Sequence, residues 1–156
     1  MIAENKEPTL LTIGYEGLDL SGFVKYLTWH KVEVLVDVRE LPISRKKGFS
    51  KSALAEAMAE NGIGYEHIKA LGSPGPIRKQ LKADWDYDTF FDAYEDYQNG
   101  QGEALDSLSE IIEENRRVCL LCFEKAHEEC HRSRVATRME RAFDGHLTVE
   151  PVKTWA

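Results

Sequence analysis

Apolar residues along the chain fall into short β-branched runs that alternate with amphipathic segments. Thr9–Ile13 is such a run and stops at Gly14, which predicts a strand. Asp19 stands where a helix cap would, with Leu20, Phe23, Val24 and Leu27 behind it at helical spacing. Glu33–Val38 reads as a second strand, apolar enough to be buried on both faces as parallel strands are. Ser50 or Ser52 starts a helix carrying Leu54, Ala55 and Met58, which ends near Asn61 and Gly62. Ile63–Ile68 predicts a third strand and Gly72–Pro76 a turn-rich loop. Two helices are expected next. Tyr87, Phe90, Phe91 and Tyr94 make one aromatic stripe, read as core rather than a ligand cage, and Leu105, Leu108, Ile111 and Ile112 mark the other. Arg117–Phe123 is the fourth strand. Val135, Ala136, Met139 and Phe143 share one face of the last helix, and Leu147–Val149 is a short final strand.

Strands alternating with helices imply βαβ units, here within one three-layer α/β domain over residues 1–156. The expected sheet is open, mostly parallel and of about four or five strands, with helices on both faces. Ligands of such sheets bind beyond the carboxyl ends of the strands, so the loops leaving strands are where a site belongs.

Charge modifies this picture locally. The chain has 20 basic and 27 acidic residues, a net charge of −7, which argues against non-specific nucleic-acid binding. Eleven of the acids lie between Asp84 and Glu114, where there is no Lys or Arg. That block reads as the solvated face of two helices, with a protein partner as the alternative use. The remainder is mildly basic. Residues 39–51 hold five basic residues and one acid, together with Gly48 and Phe49, a composition suited to phosphate or carboxylate but equally to a mobile solvated loop. No apolar stretch is long enough to span a bilayer, and the first residues lack the pattern of a signal peptide. A cytoplasmic location is therefore expected, with Cys119, Cys122 and Cys130 as free thiols.

The strand-leaving loops are rich in ionisable groups. After the second strand come Asp37, Arg39 and Arg45, with Asp37 placed either to orient a cation or to act as a base. After the fourth come Glu124 and then Cys130-His131-Arg132 at the expected start of the last helix. Free N–H groups and the helix dipole favour a thiolate or a bound anion there. The plainer reading makes Cys130 a small buried hydrophobe and Arg132 a salt-bridge partner. Sharper motifs are absent. Cys119-x-x-Cys122 followed by Cys130-His131 has a zinc-like look, but alternation along a strand turns Cys119 and Cys122 to opposite sides. No metal site and no cofactor are expected. Ala136 stands where a cysteine phosphatase needs Arg, and neither a dinucleotide fingerprint nor a Walker loop is present.

The ordered set Thr12-Ile-Gly-Tyr15, Leu35-Val-Asp-Val-Arg39 with Pro42 and Ser44-Arg45, Phe49, Gly62-Ile-Gly-Tyr65, Leu71-Gly72, Leu120-Leu-Cys-Phe-Glu124 and Cys130-His-Arg132 resembles the bacterial and archaeal proteins grouped as domain-of-unknown-function family 488. The likeness runs from about Thr12 to Met139. It implies an α/β domain with these motifs in one cleft and supplies no reaction. Residue by residue, it implies pocket members Asp37, Arg39, Arg45, Tyr65, Cys122, Glu124, Cys130, His131 and Arg132. Two positions depart from the family pattern: Tyr15-Glu16, where His-Ser is frequent, and Phe123, where Ala is common.

Three functions are in play. The first is an enzyme acting on a phosphate-bearing small molecule, nucleotide or nucleic acid. In it Arg39, Arg45 and Arg132 hold the anion with Tyr65 and Cys122 lining the pocket, Asp37 or Glu124 moves a proton, His131 relays it, and Cys130 is a nucleophile or supports the reacting groups from behind. The second is a sensor that binds an anion or nucleic acid without turnover. The third is a thiol redox protein using Cys122 and Cys130.

Overall fold

A computed structural model describes residues 7–154. Five strands form one all-parallel sheet: β1 (Thr9–Gly14), β2 (Val34–Asp37), β3 (Gly64–His67), β4 (Arg117–Cys122) and β5 (Thr148–Pro151). Their order across the sheet is β3-β2-β4-β1-β5, so β4 inserts between β2 and β1. Helices cover both faces, as α/β alternation requires. The helices α1 (Leu20–Trp29) and α2 (Lys51–Glu60) pack on one face, where Phe23, Leu27, Leu54 and Met58 meet Leu11, Ile13, Leu35, Cys119 and Leu121. On the other face lie α4 (Tyr87–Gln98), α5 (Gly102–Asn115) and α6 (Arg132–Ala142). There Tyr94, Leu105, Leu108, Ile112, Val135 and Met139 meet Leu10, Val36, Val118 and Leu120. Neighbouring residues of each strand thus feed opposite cores, the period-two consequence of the pleat.

Local chemistry sets the boundaries. Asp19 caps α1 by accepting from the Gly22 amide at 2.8 Å, and Asp86 caps α4 through Thr89. Ser50 precedes α2 but does not cap it. Its hydroxyl instead bridges the amide and carbonyl of Ser44 and folds the basic loop back on itself. One helix was not foreseen: α3 (Gly75–Asp84), which begins inside the stretch read as a loop. Pro76 is tolerated in its first turn, where no amide partner is needed, and none of its residues is fully buried, so it carries little apolar periodicity to detect. The aromatic stripe of α4 is core, as expected: Phe90, Phe91 and Tyr94 are all buried. Among the described residues no helix is long and apolar enough to cross a membrane.

At the carboxyl edge of the sheet β1 and β4 continue side by side. The Tyr15 amide donates to the Cys122 carbonyl at 3.2 Å, and the Glu16 amide to the Phe123 carbonyl at 2.9 Å. Gly14 permits this, because a Cβ there would collide with the Glu124 carbonyl group. Gly14→Ala is therefore expected to lower stability by about 1–3 kcal/mol, the usual range for an overpacked position. Gly102→Ala, where a Cβ meets nothing within 4 Å, should be neutral or stabilising. Urea denaturation of the two variants checks the contrast.

Candidate functional site

All five strands end on one edge, and β4 is where the connections part. The chain leaves β1 and β2 toward α1 and α2 on one face and leaves β4 toward α6 on the other. Such a divergence is where open parallel sheets hold their ligands. The residues singled out from the sequence gather there, but in two groups on opposite sides of the sheet.

The first group lies on the α1/α2 side. Asp37 ends β2 and is fully buried. It accepts from the Arg39 amide and Nε through one oxygen, and from Arg39 Nη2 (2.7 Å) and the Tyr65 hydroxyl (2.5 Å) through the other. Arg39 Nη1 donates to the Phe49 carbonyl at 2.8 Å and the Tyr15 hydroxyl at 3.4 Å. Burial opposes its charge, but the hydrogen bonds and charge of Asp37 hold its pKa above the ordinary arginine value. Tyr65 is raised as well, by burial and by Asp37. Every strong group in this set is satisfied by protein, so its evident work is to tie β2, β3 and the end of the basic loop together. Arg45 is exposed on that loop, outside both groups.

The second group lies on the α6 side. Cys122 ends β4, two residues before Glu124, while Cys130 and His131 lead into α6. The Nδ1 atom of His131 is 3.7 Å from the sulfur of Cys122 and 3.7 Å from that of Cys130. A Glu124 carboxylate oxygen lies 3.6 Å from the Cys122 sulfur. One donor atom from each of the four residues fits within 4.8 Å of the others. Cys122, Cys130 and His131 are buried, and Glu124 is half-buried. His131 Nε2 is 2.7 Å from the Val38 carbonyl. A carbonyl only accepts, so Nε2 carries the hydrogen and Nδ1 faces the sulfurs. The edge of Tyr94 packs on the imidazole at 5.2 Å between ring centres.

The electrostatics of this cluster are strongly skewed. Burial pushes the Glu124 carboxyl up to about 7, and the Cys130 sulfur adds to the shift. Cys130 is driven well below its ordinary value: burial acts against this, but a hydrogen bond from Cys122 and the neighbouring His131 and Arg132 outweigh it. Cys122 is driven the other way, mainly by that same hydrogen bond. His131 is raised by Cys130 despite its burial. Arg132 is buried behind the cluster. It donates to the Glu124 carbonyl at 2.6 Å and the Lys125 carbonyl at 3.3 Å, and its Nε has no partner among the described residues.

The two groups touch at the rim through residues the sequence reading passed over as ligands. Tyr15 stacks on Phe49 at 4.6 Å and meets the edge of Phe123 at 5.3 Å. Thus the two positions that depart from the family pattern are in contact with each other. Thr12 and His127 are hydrogen-bonded at 2.8 Å, a pairing that the sequence does not show. Thr12 looks like any strand residue, and His127 lies in an irregular connection, so only the fold joins them. Cys119 faces the opposite core from Cys122, as strand alternation required.

A family model described as Domain of unknown function DUF488 matches residues 19–139, and the chain belongs to that family. No curated protein and no solved structure matches the chain.

Asp37→Ala leaves the Arg39 guanidinium buried without its counter-charge. It should cost about 3–5 kcal/mol, as breaking other buried ion pairs does. Arg45→Ala, on the exposed loop, should stay within about 0.5 kcal/mol of wild type. Chemical denaturation followed by circular dichroism separates the two.

Proposed function

We propose that the chain is an enzyme whose reacting groups are Glu124, Cys130 and His131, with Cys122 beside them, and whose substrate carries phosphate. One observation carries this reading: four side chains of reactive type, from two separate segments, converge within 4.8 Å at the carboxyl edge of a parallel sheet. Simple packing gives no reason to bury two thiols, an imidazole and a carboxyl against each other.

Glu124 is the proton-transfer group in this reading rather than Asp37. Both oxygens of Asp37 are filled by Arg39 and Tyr65, whereas Glu124 is half-buried and borders solvent. Arg39 and Arg132 serve as positioning residues, since their donors hold Asp37, Phe49 and the backbone after β4. Phosphate recognition then falls to Arg45 and Lys47, both exposed on the basic loop. That loop connects to the cluster through the Phe49–Tyr15–Phe123 ring contacts, and Phe123 is 44% exposed, which leaves ring surface for a nucleobase or other planar group.

The test is a panel of phosphomonoesters, phosphodiesters, nucleotides and short oligonucleotides incubated with full-length protein and resolved by chromatography and mass spectrometry. A substrate should emerge whose turnover falls about 100-fold or more in Glu124→Gln, the usual contribution of a general acid or base. Arg45→Ala with Lys47→Ala should raise KM and leave kcat nearly unchanged. Product formed equally by wild type and Glu124→Gln rejects the assignment of Glu124. Ligand-dependent thermal stabilisation with no product from any compound rejects the enzyme and makes the pocket a sensor.

A further inference from the structure

Cys122, Glu124, Cys130 and His131 bring together two sulfurs, one imidazole nitrogen and one carboxylate oxygen, the donor types that suit zinc and similar borderline-soft divalent ions. Calcium and magnesium take oxygen donors instead. We propose that these four side chains hold one zinc-like divalent cation in tetrahedral coordination. The inference goes beyond the enzyme reading, because the ion would be held whether or not turnover follows.

Spacing is the first argument. Zinc binds sulfur at about 2.3 Å and nitrogen at about 2.0–2.1 Å, so a tetrahedron places sulfur and nitrogen ligands roughly 3.6 Å apart. The His131 Nδ1 atom stands 3.7 Å from each sulfur, and the carboxylate oxygen stands 3.6 Å from one of them. These three separations already match a tetrahedral shell, and the remaining ones lie within 4.8 Å.

Orientation is the second. A histidine ligand needs one ring nitrogen bare and the other hydrogen-bonded outward, usually to a carbonyl or carboxylate. His131 meets this condition, with Nε2 donating to the Val38 carbonyl at 2.7 Å and Nδ1 turned to the sulfurs. The backbone behind the ligands is fixed too. Cys122 is in register with Gly14 across the sheet, and the carbonyls of Cys130 and His131 accept from the Ser133 and Val135 amides at the start of α6.

Charge is the third. Two thiolates and a carboxylate around a divalent ion leave one negative charge in a buried place. The Arg132 guanidinium, itself buried and donating to the Glu124 and Lys125 carbonyls beside the ligands, offsets it. Binding displaces the thiol protons to solvent; no bond to carbon changes and no electron moves. Glu124, half-buried where the other three are buried, is the ligand through which an ion enters and which water or substrate can replace.

The experiment is a cobalt titration of reduced, chelator-treated full-length protein. Cobalt(II) reports its own coordination: sulfur ligands give near-ultraviolet charge-transfer absorption, and tetrahedral geometry gives strong visible bands. One equivalent should produce both, and zinc should abolish both. Cys119→Ser, on the other face of the sheet, should leave the spectrum unchanged. Cys130→Ser should halve the charge-transfer absorption, and Glu124→Gln should shift the visible bands and weaken binding by about 10-fold or more. If Cys130→Ser does not fold, wild type, Cys119→Ser and Glu124→Gln still decide. A folded wild type with reactive thiols and no sulfur-to-cobalt absorption overturns the proposal, as does loss of the signal in a folded Cys119→Ser. Turnover without cobalt binding leaves the enzyme reading and removes the ion. Cobalt binding without turnover does the reverse.

Discussion

Parallel pairing of β1, β2 and β4 is the constraint on which everything else rests. Three strands running the same way deliver their following loops to one edge, and the ladder between β1 and β4 continues past the strands into those loops. The backbone at Cys122 and Phe123 is therefore held by the sheet ladder itself, and Arg132 holds the Glu124 carbonyl that follows. A loop anchored at this depth can present a thiol and a carboxyl at fixed separation, as a preorganised site needs. The close approach at Gly14 belongs to the same arrangement, since any larger residue would pry the two loops apart.

The pleat then decides which residues share a site. Asp37 shares a side of the sheet with Leu35, Cys119 and Leu121, whereas Cys122 follows Val118 and Leu120 to the other. One group becomes a saturated buried ion pair and the other a cluster of groups that titrate against one another. The ion pair is ill suited to bind an anion, because four of the five guanidinium N–H groups already serve Asp37, Phe49 and Tyr15 and both oxygens of Asp37 are engaged. Its contribution is geometric: it pins the basic loop through the Phe49 carbonyl and so holds the rings that connect this loop to the cluster.

The cluster differs in kind. A lone buried cysteine is an inert hydrophobe, but Cys130 has a second thiol, an imidazole and a carboxyl around it, and each changes the charge the others carry. It is largely shut off from solvent, with Tyr94 against the imidazole and the buried Arg132 of α6 behind, so the groups act on one another with little screening by water. Glu124 is the point at which this interior meets solvent.

Much of this was legible in the sequence. Short β-branched runs separated by amphipathic stretches determine a parallel α/β sheet, because only burial on both faces explains strands such as Val34-Leu-Val. The rule for such sheets then pointed to the loops that leave the strands, among which the one after β4 carries Glu124, Cys130 and His131. The opposite facing of Cys119 and Cys122 also followed from alternation alone. Tertiary structure decided what periodicity cannot encode. The path of the connection between β4 and α6 brought Cys130 and His131 back over the end of β4, beside Cys122 and Glu124. Packing spent Arg39 on Asp37 and turned Arg132 toward backbone carbonyls. Local pattern records which face a residue takes within its own element, whereas the identity of its partner depends on which elements lie side by side. That is set by long-range pairing, where residues distant in the chain meet.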